Sequence, residues 1–191
     1  IHEVKDHSLS ALRRQLGESR AELGNHLGLY QIHSVTPDSP VLDDAAVTGA
    51  LNELRATGVR IGLTTSGPEQ ANVIRRALEL AVDGTLLFAT VQATWNLLER
   101  SAGPALDEAH DAGLGVIVKE ALANGRLAGS DDRADAAHLG GWPPDAVALA
   151  AAASQPWADV VLSGAATVDQ LRSNLQACQV MSDLDPDSVL A

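Results

Sequence analysis

Residues 59–81 read VRIGLTTSGPEQANVIRRALELA, and this stretch decides the fold. Val59, Ile61 and Leu63 belong to a short apolar run that closes on Thr64 and Thr65, the composition of a strand with a polar end. Ser66-Gly67-Pro68-Glu69 breaks the run. Ala71, Ile74, Ala77, Leu78 and Ala81 then recur at helical spacing. Strand, turn and helix make one βα unit, and the remaining question is whether the unit repeats.

It repeats in both directions. Upstream, Leu9, Leu12, Leu16 and Leu23 mark a helix over 8–23, residues 29–32 form a strand, and Val47, Ala50, Leu51 and Leu54 mark a second helix. Downstream, TLLFATVQ (85–92) reads as a strand, 102–112 as a helix and LGVIVK (114–119) as a strand. A looser stretch covers 121–143, followed by an Ala-rich helix (144–154), the strand ADVVLSG (158–164) and a helix over 167–177. The reading contains five strands and six helices. The strands read as apolar on both faces, as in a parallel sheet covered by helices. Neither a linker nor a shift in composition interrupts 1–191, so one domain is expected.

Two architectures use such a repeat. A doubly wound sheet would carry a Gly-x-Gly-x-x-Gly turn after its first strand, and none is present. A (β/α)8 TIM barrel spaces its strands as these are spaced, about 26–32 residues apart over the first four, and puts chemistry at the carboxyl ends of the strands. Five units fall three short of eight, or ~90 residues. The chain opens on a helix, begins with Ile1 and stops where a further helix starts, so the expected fold is an incomplete barrel, about the last five βα units.

Charge and cysteine content exclude several functions. The net charge is −12, against the clustered Lys and Arg that nucleic acid or an anionic membrane surface requires. The single cysteine, Cys178, rules out a disulfide or a Cys-x-x-Cys zinc site within one chain and suits a reducing, cytoplasmic location. Cys178 falls on the last helix and is expected to be packed. No apolar run approaches the ~20 residues of a membrane span, and no signal peptide is visible in the sequence. Metal-binding, phosphate-loop and nucleophile-elbow motifs are lacking, and no metal is expected.

The strand ends carry the chemistry. Gln31, His33 and Ser34 follow the first strand, Thr64 and Thr65 the second, Gln92, Thr94 and Asn96 the third, Lys119 and Glu120 the fourth, and Ser163 to Gln170 the fifth, with Asn174 a turn later. Each has a plain alternative. His33 and Tyr30 could be core residues, and Gln92 and Asn96 ordinary strand-end polar groups. Ser66-x-x-Glu69 and Thr167-x-x-Gln170 both fit capping boxes, whereas the same N–H groups could instead hold an anion. Lys119, ending a buried strand, suits a phosphate or a carbonyl. Arg13, Arg14, Arg75 and Arg76 read as solvated helix faces.

Five segments, in order, resemble the aldo/keto reductase family: LYQIH (29–33), GLTTSGPEQ (62–70), VQATWNLLER (91–100), ALANGRL (121–127) and LSGAATVDQLRSNL (162–175). The match runs over 5–180. The resemblance implies NAD(P)H-dependent reduction of a small aldehyde or ketone, with NADP the expected cofactor and NAD possible. It makes His33 the catalytic-site histidine and Gln92 the contact to the nicotinamide carboxamide. Thr64 and Thr65 stand beside the nicotinamide, and Lys119 where many members stack an aromatic ring. Leu122 follows in that segment, Gly164, Ala165 and Thr167 line the phosphate turn, and Gln170 and Asn174 face the adenosine. Ala166 and Gln170 lie where NADP-preferring members often place Arg. The family's Tyr, Lys and Asp belong to the first three βα units, so this chain is expected to lack them. The alternatives are a non-catalytic NADP(H)-binding regulator or sensor, and an inactive truncated product.

Overall fold

The computed structural model describes residues 5–128 and 141–183. His2, the acidic stretch 129–135, His138 and the tail beyond 183 lie outside the described residues. The chain divides into two compact units, Ile1–Gln92 with Glu108–Gly115, and Ala93–Asp107 with Val116–Ala191. Five strands take part in parallel pairings, as α/β alternation dictates.

The first unit opens with α1 (Leu9–Leu23), capped by the Ser8 side chain, which accepts from the Ala11 N–H at 3.2 Å. Ala11 and Leu12 are its buried positions, whereas Leu23 is 48% exposed, so the expected apolar stripe is only partly used. Gly24, at φ +51°, ends the helix. β1 (Leu29–Val35) then pairs with β2 (Arg60–Thr65), which pairs with the N-terminal part of β5 (Thr90–Thr94). Between β1 and β2 runs α2 (Ala45–Ala56), whose cap Asp44 accepts from Ala46 and Val47 and whose Val47, Leu51 and Leu54 are buried. After β2 comes α3 (Gln70–Leu78), which buries Val73, Ile74 and Ala77.

Register explains the two faces of this sheet. Tyr30 lies beside Ile61, and Ile32 beside Leu63, which itself lies beside Val91, forming an apolar face. Gln31 lies beside Gly62, Gly62 beside Thr90, and Thr64 beside Gln92, so the opposite face is polar. The expectation of strands apolar on both faces is therefore corrected for β1, β2 and β5. Gly62 is required here, because a Cβ would stand 2.1 Å from the Thr90 hydroxyl and 3.0 Å from the Gln31 side chain.

The expected strand 85–92 is also corrected. Ala81–Val82 (β3) and Thr85–Leu86 (β4) form a small antiparallel hairpin, and the parallel strand starts only at Thr90. Asp83 and Gly84 turn it, at φ +53° and +75°. That is the two-residue turn for which Asp-Gly is the strongest local signal. Helix α3 accordingly stops at Leu78 rather than running to 81.

The division between units falls within β5, within α4 (Gly103–Asp111) and after the first residue of β6 (Gly115–Lys119). In the second unit β6 pairs in parallel with β7 (Val160–Val161). The Asp159 carboxylate accepts the Val116 N–H at 2.7 Å and ties the strand starts together. α5 (Pro144–Ala153) is buried from Asp145 to Ala152, as an all-round apolar helix must be. α6 (Val168–Asn174) and α7 (Ala177–Asp183) pack against it. The single expected final helix is thus two, broken after Asn174. Cys178 is exposed, not packed, because Ala177 and Val180 take the inward face of α7. Trp95 and Trp157 meet edge to face at 5.7 Å, with Gly103 against the Trp95 ring.

Candidate functional site

The first unit carries its polar groups at the carboxyl ends of its strands. At the end of β1 the register with β2 breaks between Ile32 and Val35, and Ser34 adopts φ +54°. A bulge of this kind re-aims side chains and gathers at functional sites. The strained turn is held by the buried Thr64, whose hydroxyl accepts the Ser34 N–H at 2.8 Å. His33, at the bulge, is exposed, so the core-histidine alternative does not hold. Its Nε2 lies 3.1 Å from the Ser34 hydroxyl.

Two residues that sequence reasoning missed join it. The Lys5 ammonium donates to the Ser34 carbonyl at 3.2 Å and to the Ser66 hydroxyl at 3.0 Å. His7 Nε2 lies 2.8 Å from the His33 carbonyl. Both precede the first helix, where no periodicity marks them, and only the fold brings them to β1. Ser66 does not cap α3, so that expected capping box is absent. A cavity of about 200 Å³ opens beside His33, lined also by Lys5, His7, Tyr30 and Gln31. Tyr30 is half-buried rather than a core residue, and that burial, with Glu18 adding to it, raises its phenol above the usual tyrosine range.

Thr65 is fully buried, its hydroxyl directed to Gln70 Oε1 at 3.2 Å and to the Gln92 carbonyl at 3.4 Å. Gln92 is held by its side chain: its Oε1 accepts from Gln31 Nε2 at 3.3 Å, and Thr90 donates to Gln31 Oε1 at 3.4 Å. Gln31, Thr90 and Gln92 thus form a polar cluster above Gly62. Arg75 and Arg76 are paired rather than merely solvated, Arg75 in a two-pronged bond to Glu108 and Arg76 with Asp43. The Arg75 guanidinium holds the Glu108 carboxyl below its ordinary range.

The second unit has its own cavity, of about 590 Å³. Lys119, Leu122, Gly164, Ala165, Gln170 and Asn174, six of the residues expected at the cofactor, line it. Thr167, expected at the same turn, caps α6: its hydroxyl accepts the Gln170 N–H while Gln170 Oε1 accepts from Ala166 at 2.8 Å and Thr167 at 3.1 Å. The capping box is therefore the arrangement formed at this turn. Asn174 is buried and donates to the Ser163 carbonyl at 3.2 Å. Backbone strain marks this rim too, at Glu120 (φ +56°), Ala123 (φ +49°) and Asn124 (φ +56°). The Glu120 carboxylate accepts from Thr94 at 3.0 Å. Asn96 is structural, its amide tying Leu98, Glu99 and the Glu120 carbonyl.

Among the described residues no cluster of His, Cys, Asp and Glu could hold a metal ion, and no helix is long and apolar enough to cross a membrane. Parallel βα units with histidine, amide and hydroxyl groups at the strand ends define an α/β enzyme scaffold. The chain belongs to the aldo/keto reductase family, whose model matches residues 2–189, and so stands among the oxidoreductases. Its fold is similar to that of the aldo-keto reductase AKR11C1 from Bacillus halodurans. With the holo form the TM-score is 0.71 at 20% identity, over 97% of this chain and 69% of that one. With the apo form the TM-score is 0.69 at 20% identity, over 95% and 69%. No curated protein matches the sequence significantly.

Proposed function

We propose that the chain serves NAD(P)H-dependent reduction of small aldehydes or ketones, and that its five βα units correspond to the last five of a (β/α)8 barrel forming one domain. The observation that carries this reading is the gathering of family positions at strand ends. His33, Thr64, Thr65 and Gln92 are linked through Ser34 and backbone groups in one unit, and six cofactor-side residues share one cavity in the other.

The residues fit such a cofactor by their chemistry. The second unit's cavity is of nucleoside size, flanked by Gly164 at φ +65° and by the buried amide of Asn174. Gln170, Asn174 and Leu122 would hold the adenosine end there. Gln92, fixed by Gln31, would present its amide to the nicotinamide carboxamide, and Thr64 would flank the ring. Thr65, fully buried, acts by holding Gln92 rather than by touching a ligand. A bound reduced nicotinamide supplies the hydride. His33 would donate a hydrogen bond to the substrate carbonyl and favour the charge that develops on its oxygen.

A second reading, dinucleotide binding without turnover, is favoured by one observation. The sole tyrosine, Tyr30, has its phenol pKa raised by burial, which weakens it as a proton donor. One pair of measurements decides between them: dinucleotide binding, and nicotinamide absorbance with a panel of aldehydes. Turnover that falls on the order of a hundredfold in His33→Ala, with binding retained, supports reduction. Binding with no turnover in the parent chain leaves the second reading, and no binding removes both.

A further inference from the structure

Resting on the reading of His33 as the group that meets the substrate carbonyl, we infer that His7 is its positioning residue, acting on the peptide group between His33 and Ser34. That peptide is held at both ends. Its carbonyl, which belongs to His33, lies 2.8 Å from His7 Nε2. A carbonyl only accepts, so His7 Nε2 carries a proton and is the donor. Its N–H, which belongs to Ser34, donates to the buried Thr64 hydroxyl at 2.8 Å. His33 and Ser34 fall between the paired positions Ile32 and Val35, where the register with β2 shifts. Ser34 stands at φ +54°, a conformation that a residue with a Cβ keeps only where its surroundings over-determine it. Releasing either end of the peptide lets that φ relax toward the ordinary negative range. The bulge that aims the His33 ring relaxes with it, and so does the Ser34 hydroxyl, 3.1 Å from His33 Nε2.

His7 is presented from a fixed base. Asp6 Oδ1 accepts the Ser8 N–H at 3.0 Å, and the Ser8 hydroxyl accepts the Ala11 N–H at 3.2 Å, capping α1. The residues on both sides of His7 are thus tied to the start of the helix, and its imidazole has few torsions left to freeze. Lys5 bonds the next carbonyl, that of Ser34, at 3.2 Å, through a longer and freer chain. One segment ahead of α1 therefore meets both carbonyls of the bulge. A reacting group held to a fraction of an ångström needs support of this kind. His7 and His33 also line one cavity of about 200 Å³, so the rival role for His7 is direct contact with the substrate.

Two variants separate these roles: His7→Leu, which removes the donor, and His7→Gln, whose amide nitrogen reaches about as far as imidazole Nε2. In heteronuclear NMR of the 191-residue chain, His7→Leu should speed exchange of the Ser34 amide about tenfold and shift the His33 ring signals. His7→Gln should keep both near the parent. With an aldehyde substrate, kcat of His7→Leu should fall by about tenfold to a hundredfold while dinucleotide affinity holds, and His7→Gln should recover most of it. If His7→Leu melts early, His7→Asn is the further variant: its shorter amide misses the carbonyl, and the same shifts are expected. Unmoved Ser34 and His33 signals in a folded His7→Leu overturn the proposal, as does a His7→Gln that behaves like His7→Leu, or full turnover despite shifted signals. A raised KM with unmoved signals assigns His7 to the substrate and equally overturns it. Shifted signals with no turnover in any protein, the parent included, leave His7 holding the bulge and remove the reduction reading alone.

Discussion

Gly62 shows how one residue conditions the face that carries Gln92. Its neighbours in register, Gln31 and Thr90, bring their side chains together over the space a Cβ would occupy. Gly62→Ala is expected to push the Thr90 hydroxyl aside, break its bond to Gln31 and destabilise the protein by about 1–3 kcal/mol, the usual effect of overpacking. A urea melt checks this, and an unchanged midpoint would show that the cluster has room to move. Thr64 is the corresponding case for His33. Its hydroxyl serves the Ser34 N–H, which has left its regular place in the ladder at the bulge. The polar end of β2 was legible as a strand terminus, but its partner was not, because Ser34 and Thr64 are thirty residues apart and meet only through the pairing of β1 with β2.

Among the elements, α2 is the one whose limits the amino acids declare most openly. Asp44 supplies its carboxylate to two free N–H groups, and Val47, Leu51 and Leu54 follow at helical spacing. Asp44→Ala should remove that cap and destabilise by about 1 kcal/mol. A thermal melt would register this as a drop of a few degrees, and no drop would mean that the helix start is held by packing alone. The β3–β4 hairpin and the break between α6 and α7 were the elements misread. The hairpin had a signal in Asp83-Gly84, outweighed by the apolar run that follows it. The break after Asn174 had none, since the apolar spacing continues through both helices. Its cause is tertiary: Asn174 is buried with its amide on the Ser163 carbonyl, anchoring the end of α6.

For the whole molecule, acidity is the dominant property. At a net charge of −12 the chain repels its copies at neutral pH, and that repulsion vanishes near its pI of about 4.7. Turbidity measured across pH at low salt should pass through a maximum close to that value. A flat profile would mean that surface features other than net charge govern association. The same excess of acid works against electrostatic capture of nucleic acid, in keeping with a small-molecule substrate.

The amino-acid sequence by itself determined the βα alternation, the family, and the positions at which polar groups end the strands. These are local properties: period, turn residues and composition act over one element at a time. Tertiary structure alone decided which of those groups meet. It brought Lys5 and His7 to the end of β1, buried Thr65 with its hydroxyl directed to the Gln92 carbonyl, and formed a capping box at the start of α6. Each outcome depends on strand register, on a bulge or on the burial of one helix face, and such pairings between distant residues are set by the packing of the whole core.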